Sequence, residues 1–508
     1  MNKQWVLPVC CIFVFLGFSP VRSFAQPPVD VDRSNAQMSG SELWNLTESK
    51  LFNGQMHKIS IRMNHAVWNR LHEDEKNNGC HNTGTAKWAH VRDFTFNDIA
   101  MKDVAIKVRG NSSRCLPQLK LSISFDRTKD VYTRQGTGNW IAVEYSEPGR
   151  KAIEDRTLHG LEELNLSGNF SDSSPENDNG NDTLAREFIA TWAAAKAEDV
   201  VKTTLRGPPV YRTAYVLVEF QFCTGDADNV CNNRFARAYL IAEPLDRRFF
   251  KMRYDDDKPT VFSMAHGCAL RIDRGSKGFT YPCLEPEYLD GKKMDDADTA
   301  AQLKALAHIT GAGSFKTRMD AADTAPELGE VLDLDSIMNY AAFATTAGHW
   351  DSAYGNFNND MLYFHAPSGK WKLIARDVND TFDSDSRGGP PCSYSYAEIA
   401  QAPRILFDKL FGLPKLDAQF RKHLGDYLTA LYGRNGSDSP LKNKIMEVRD
   451  RYIMKTDGEL PDSELQNTPP TQKVQKMLDY ATQRLRILRN QPRPAQAMGP
   501  TGAADRIR

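Results

Sequence analysis

The chain has 508 residues, 41% hydrophobic and 25% charged, with a formal net charge of −1. That is the make-up of a globular protein, long enough for about two to four ordinary domains or one large two-lobed unit. The near-neutral balance offers no global field to nucleic acid or to an anionic membrane, so a role in nucleic-acid binding is disfavoured.

Residues 1–25 read as a secretory signal peptide. Lys3 supplies a positive start, residues 5–18 are apolar apart from an interruption at Pro8, and Ser23-Phe24-Ala25 offers small residues at a cleavage site. No later run reaches the ~18 apolar residues that span a bilayer. The expected location is therefore periplasmic, secreted or at the cell surface. Beyond the signal lie Cys80, Cys115, Cys223, Cys231, Cys268, Cys283 and Cys392. Export permits disulfides. Cys223 with Cys231, Cys268 with Cys283 and Cys80 with Cys115 are local candidates, leaving Cys392 free. No C-x-x-C pair and no H-E-x-x-H helix occurs, which speaks against structural zinc, a thioredoxin-like centre and zincin chemistry.

Residues 26–45 are polar and read as a flexible leader. From 46 to 250 the chain is strand-rich. Apolar and polar residues alternate over 58–63, 104–108 and 120–125, a short strand is expected at 162–166, and two long strands at 211–222 and 234–242 flank the Cys223–Cys231 loop. The polar turn Arg109-Gly110-Asn111-Ser112-Ser113-Arg114 makes 104–125 hairpin-like. Spacing over 67–71 is helical, and residues 183–197, rich in Ala and capped by Asp182, predict a helix. From 251 to 490 the pattern is helix-rich, with helices expected at 300–309, 331–347, 404–431, 441–454 and 471–488. Residues 491–508 form a Pro-, Ala- and Gly-rich tail read as disordered. The fold class is α+β, strand-rich in front and helix-rich behind.

The chemistry concentrates at 349–382. His349-Trp350-Asp351 is followed five positions later by Asn356, then by an apparent hairpin, then by Asp377-Val378-Asn379-Asp380-Thr381-Phe382. A protein kinase spaces its phosphoryl-transfer groups in this way: one carboxylate meets the acceptor hydroxyl, while an amide oxygen and a second carboxylate hold Mg2+ against the phosphates. A polar turn ahead of a hairpin is the plainer reading of the same residues. Asn358 and Asn359 compete with Asn356 for the amide role.

Four blocks recur in order: Val108 to Ser113; Leu164-Asn165-Leu166 ahead of Leu184-Ala185-Arg186-Glu187; Tyr239-Leu240-Ile241-Ala242-Glu243 through Asp246 to Phe250; and Asp351 to Phe382. Together, over roughly residues 58–430, they resemble the CotH kinase family of secretory protein kinases. The resemblance implies an atypical, two-lobed protein-kinase-like fold, ATP, Mg2+ or Mn2+, and a protein substrate. It gives Asp351 the catalytic role and Asp377 and Asn356 the metal. Arg109, Gly110, Ser112 and Ser113 fall to the phosphates, and Lys120 is expected to pair with Glu243. Arg186 reads as a surface or bridging residue.

Two departures follow. The family carries Pro-Trp-Asp-x-Asp where this chain has Ala375-Arg376-Asp377-Val378-Asn379, so Asn379, or the adjacent Asp380, stands in for a second acid. Gln118 and Leu119 occupy a stretch that is usually Lys-rich. Glycosylation sequons at Asn111 and Asn379 fall within the site, so either the host does not glycosylate or the site lies elsewhere; a signal peptide compatible with a bacterium favours the former. The leading expectation is an exported Ser/Thr protein kinase acting on a basic, Ser-rich protein. A secreted pseudokinase serving structure or adhesion is the alternative, and a metal-dependent hydrolase ranks below both.

Overall fold

The computed structural model describes residues 38–69, 71, 87–109, 119–134, 140–168, 184–201, 209–224, 230–264, 271–272, 279–280, 284–294, 299–311, 313–349, 352, 360–379, 381–382, 410–433, 438–453 and 470–490. The segment 1–25 expected as a signal peptide, the tail 491–508, Gly110, Ser112, Ser113, Asp351, Asn356, Asp380, Asp182, Cys80, Cys115, Cys268, Cys283 and Cys392 lie outside them.

In chain order the front part comprises α1 (Gly40–Lys50), β1 (His57–Asn64), β2 (Trp88–Phe96), β3 (Ile99–Val108), β4 (Leu121–Ser124), β5 (Val131–Arg134), β6 (Trp140–Ala142), α2 (Glu147–Ile153), β7 (Glu163–Ser167), α3 (Ala185–Val201), β8 (Thr213–Thr224), β9 (Val230–Ala242) and α4 (Arg247–Tyr254). The strands form one nine-stranded sheet, ordered β1-β8-β9-β7-β4-β3-β2-β5-β6. A further β1–β2 pairing closes its first seven strands into a barrel. Closure depends on a parallel β1–β8 contact running from His57↔Val216 to Asn64↔Cys223. Alternation explains the barrel: Ile59, Ile61 and Met63 of β1, Val216, Val218 and Phe220 of β8, and Ile106 and Val108 of β3 share one apolar cluster.

The leader expected to reach 45 is helical from Gly40. Ser39 and Glu42 cap each other's backbone N–H groups at the start of α1, a capping box that sets its first turn. Cys223 and Cys231 are bridged across the β8–β9 hairpin as expected.

The rear part combines its helices with a second sheet. Its elements are β10 (Thr260–Met264), β11 (Arg271–Ile272), β12 (Phe279–Thr280), β13 (Leu284–Leu289), β14 (Lys292–Lys293), α5 (Thr299–Thr310), α6 (Phe315–Ala321), α7 (Ala325–Val331), α8 (Leu334–Ala347), β15 (Asp360–His365), β16 (Lys370–Ala375), α9 (Pro414–Tyr432), α10 (Pro440–Val448) and α11 (Pro470–Asn490). The sheet order is β14-β13-β10-β15-β16. The hairpin expected after Asn356 is β15–β16, in register from Asp360↔Ala375 to His365↔Lys370.

The single helix expected over 331–347 is split. Leu332 is extended, the Asp333 N–H donates to Trp371 O, and the Asp333 carboxylate caps α8 at Ser336. A second apolar cluster gathers α3, α8, α9, α10 and α11 against β10, β15 and β16. Ala190, Ala193, Ala194 and Ala197 of α3 are all buried there, so small side chains let this helix sit deep in the core. Among the described residues no helix is long and apolar enough to cross a membrane.

Candidate active site

Three elements meet at Asp377. The first is the β3–β4 turn. Its flanks are tied where the Arg109 N–H donates to Lys120 O at 2.9 Å, placing both side chains at the same end of the hairpin. The second is the start of α3. The third is the chain leaving β16, with α8 behind it. Gly348 ends α8 in the left-handed region (φ 64). A β-carbon there would fall 2.1 Å from the Tyr480 hydroxyl oxygen, so glycine is required on two counts.

Asp377 itself is left-handed, with φ 52, a conformation Asp tolerates better than most residues. The turn is held on both sides. Before it, the Ala375 N–H donates to Pro209 O at 2.8 Å. After it, the Val378 N–H donates to the Tyr211 hydroxyl at 3.3 Å, and the Thr381 hydroxyl donates to Val378 O at 2.9 Å and to Arg186 O at 3.5 Å. The Phe382 N–H donates to Ala347 O at 2.8 Å. This framework leaves the Asp377 side chain 39% exposed, with no hydrogen bond from the described residues. Among the described residues its close charged contact is Lys120, whose Nζ stands 3.8 Å from Oδ2.

Lys120 is only 8% exposed, so its ammonium is delivered to the site through a nearly closed wall. Glu187 on α3 lies behind it, 2% exposed. The Glu187 carboxylate accepts from the Tyr211 hydroxyl at 2.7 Å and from the Ser167 hydroxyl at 3.1 Å. Burial and then the charge of Asp377 push its pKa up, while Lys120 and the two hydroxyl donors pull it back. Burial and the same two carboxylates raise the Tyr211 phenol well above its ordinary value, so Tyr211 is a donor throughout the working pH range.

The expected Lys120–Glu243 pair is not formed. Glu243 is enclosed by two guanidiniums: Arg212 Nη2 donates to Oε1 at 2.6 Å and Arg253 Nη2 to Oε2 at 2.7 Å. Burial alone would raise its pKa, but Arg212 and Arg253 overcome that and carry it down to about 2. The physical reason is reach. Glu243 faces α1 and α4, where Arg212 also contacts Glu48 and Thr47, whereas Lys120 opens toward Glu187 and Asp377. Glu187 is therefore the acid that sequence reading passed over. It stood within a quoted block, and its signal was a carboxylate opening an otherwise apolar run, Phe188-Ile189-Ala190.

Arg109 is half-buried and makes no side-chain hydrogen bond or ion pair among the described residues. Burial and then Arg376 lower its pKa, against Asp377, Glu187 and Tyr211. Arg376 pairs with Glu287 at 3.0 Å. Asn379 is 6% exposed and Thr381 fully buried, so the sequon they belong to has no room for a glycan in the folded chain. His349 is buried, and neither ring nitrogen has a hydrogen-bond partner. Burial takes its pKa down to about 4, with Asp377 opposing, so the ring is neutral at pH 7.

Lys120 and Arg109 thus surround Asp377, with Glu187 as buried counter-charge. Cations suit the oxygens of a polyphosphate, and a carboxylate with unused lone pairs suits a hard divalent cation. Among the described residues no three His, Cys, Asp or Glu side chains converge as a metal-binding group. Of the expected aspartates Asp351, Asp377 and Asp380, only Asp377 lies within those residues.

Lys120 and Glu187, both largely enclosed, thus stand beside an acid on the left-handed turn that follows β16. The chain belongs to the CotH kinase protein family, whose model matches residues 106–488, from within β3 to within α11. No curated protein matches the chain at a significant level.

Proposed function

We propose that this chain is an exported, two-lobed, ATP- and divalent-metal-dependent protein kinase that transfers the γ-phosphate to Ser or Thr of a basic, Ser-rich protein. The observation carrying this reading is the contact of Lys120 with Asp377 over the buried Glu187. Lys120 and Arg109, with the Gly110, Ser112 and Ser113 turn, would bind the phosphates. Asp377 and Asn356, with Asn379 and Asp380, would hold Mg2+ or Mn2+. When bound, the metal neutralises charge that builds on the phosphates. Asp351 would accept the proton of the attacking hydroxyl. Glu187 keeps Lys120 in place, as the Lys–Glu pair does in ordinary kinases. The Cys223–Cys231 bridge and the residue pattern of 1–25 support export.

The test is transfer of labelled γ-phosphate from ATP to the chain itself or to a basic, Ser-rich protein, with Mg2+ and with Mn2+. Transfer by the wild type and its loss in Asp377→Ala support the reading; no transfer with either metal overturns it. Asn379, an amide where an acid is expected, favours a second reading as a pseudokinase serving structure or adhesion. Calorimetric binding of ATP and metal without turnover would support that one.

A further inference from the structure

The segment Pro209 to Arg212 runs alongside the Asp377 turn and touches it on both sides. Val210 forms a parallel bridge with Ala375, whose N–H donates to Pro209 O. One residue beyond Asp377, the Val378 N–H donates to the Tyr211 hydroxyl. That hydroxyl in turn donates to Glu187 on α3. Arg212 anchors the far end: its N–H donates to the Glu243 carboxylate at 3.0 Å, and the Glu243 N–H donates back to Arg212 O at 2.9 Å. Tyr211 is 5% exposed, so water does not compete for its hydroxyl.

We propose that Tyr211 is a positioning residue whose hydroxyl fixes Glu187 and the backbone beside Asp377 in one register, so that the Lys120 counter-charge and the metal-binding acid are set together. The proposal rests on the kinase reading for its catalytic meaning and on geometry for the tether. A single hydroxyl receives one N–H and gives one O–H, a relay in which each bond polarises the next. The left-handed turn at Asp377 is costly unless its surroundings over-determine it, and the Pro209 to Arg212 strap supplies that determination. Glu243 then acts on the site at a distance, by holding Arg212, instead of by touching Lys120.

The test is Tyr211→Phe, which keeps the ring and removes the relay. Tyr363→Phe is the comparator, because the Tyr363 hydroxyl likewise donates to a buried carboxylate, that of Asp256 at 2.7 Å, without bonding to the Asp377 turn. Two readouts are taken: hydrogen exchange of the peptide covering 376–382, and kcat with KM for ATP. In Tyr211→Phe that peptide is expected to exchange about tenfold faster, as loss of one buried hydrogen bond implies. Peptides from the barrel strands should be unchanged. The kcat is expected to fall about tenfold or more with KM within about twofold, as for a misplaced reacting group. Tyr363→Phe should leave both readouts as in wild type.

Unchanged exchange at 376–382 overturns the tether. A uniform acceleration across the chain with kcat intact also overturns it, since that is a purely structural role. If the wild type transfers no phosphate, the kinase reading fails, and the exchange readout alone then decides whether Tyr211 holds the turn.

Discussion

Lys120 Nζ stands 3.8 Å from Asp377 Oδ2, joining the end of the barrel hairpin to the turn that follows β16. The distance exceeds the roughly 2.7–2.9 Å of a charge-assisted hydrogen bond, and the Asp377 side chain is more than one-third exposed. A pair of that kind contributes about 1 kcal/mol or less to stability. Folding therefore gains little from the pair, which fits the kinase reading.

The first prediction separates the two. On the kinase reading, Lys120→Met and Asp377→Asn should each lower phosphate transfer by about 10²-fold or more, since Lys120 would meet the phosphates and Asp377 the metal. Urea unfolding of Asp377→Asn should stay within about 1 kcal/mol of wild type. Transfer retained within tenfold in both variants would remove these residues from the catalytic centre.

Glu187 and Glu243 are both buried acids, yet they should fail differently. Glu187→Gln keeps the shape and an acceptor for Tyr211 but removes the counter-charge of Lys120, so kcat should fall while the fold persists. Glu243→Gln leaves Arg212 and Arg253 buried against each other without their carboxylate, a loss of about 3–5 kcal/mol by analogy with other broken buried pairs. The pH dependence gives a second check. The folded pKa of Glu243 is about 2 against an ordinary 4.5. The unfolded chain therefore takes up the proton first as pH falls, and about 3 kcal/mol of stability present above pH 4.5 is lost on the way down to pH 2. In Glu243→Gln that part of the acid transition should disappear. Equal acid midpoints relative to neutral stability would contradict the assignment.

How much of this was legible in the sequence depends on where each partner came from. Strands β1, β3 and β4 declare themselves by alternation, β7, β8 and β9 as apolar-rich runs of strand length, and the Cys223–Cys231 hairpin by its turn-rich loop. Helix α3 declares itself by Ala. The β15–β16 hairpin and Asp377 at its exit were legible from spacing. Strand β2 escaped notice: Trp88-Ala89-His90-Val91-Arg92-Asp93 breaks the alternation where two successive residues are buried. Closure of the barrel was not readable either, since a parallel β1–β8 contact joins segments more than 150 residues apart. The environment of Glu187 comes from Ser167 on β7 and Tyr211 before β8, and the partners of Glu243 from two separate arginines. Such pairings are tertiary, and local pattern carries no trace of them.

The Cys223–Cys231 bridge closes a short loop, with a sequence separation of 8. The chain-entropy argument assigns such a loop about 2–3 kcal/mol. Arg62 Nε also donates toward both sulfurs, at 3.2 and 3.0 Å, so the bridge forms part of the packing between β1 and the hairpin. Cys223→Ala/Cys231→Ala should lose about 2–3 kcal/mol in urea unfolding under oxidising conditions. Reductant should bring the wild type down to the same value. Indifference of the wild type to reductant would show that the bridge is not formed in the purified protein.

His349 offers a pH test that does not rely on activity. Its ring is buried without a hydrogen-bond partner, and its pKa is down to about 4 from 6.5. Below pH 6.5 the unfolded chain binds a proton at this position while the folded chain does not. Stability is therefore full above pH 6.5, falls as pH drops, and is lower by about 3 kcal/mol once the folded pKa of about 4 is reached. His349→Leu removes the titrating group and both unpaired nitrogens. Its stability curve should run flatter than that of wild type by about one proton between pH 6.5 and pH 4, with the variant gaining on wild type toward the acid end. Carboxylates titrating in the same window are common to both proteins and cancel in the difference. Parallel curves across this range would mean that His349 is protonated in the folded state and that its surroundings are wetter than its burial indicates.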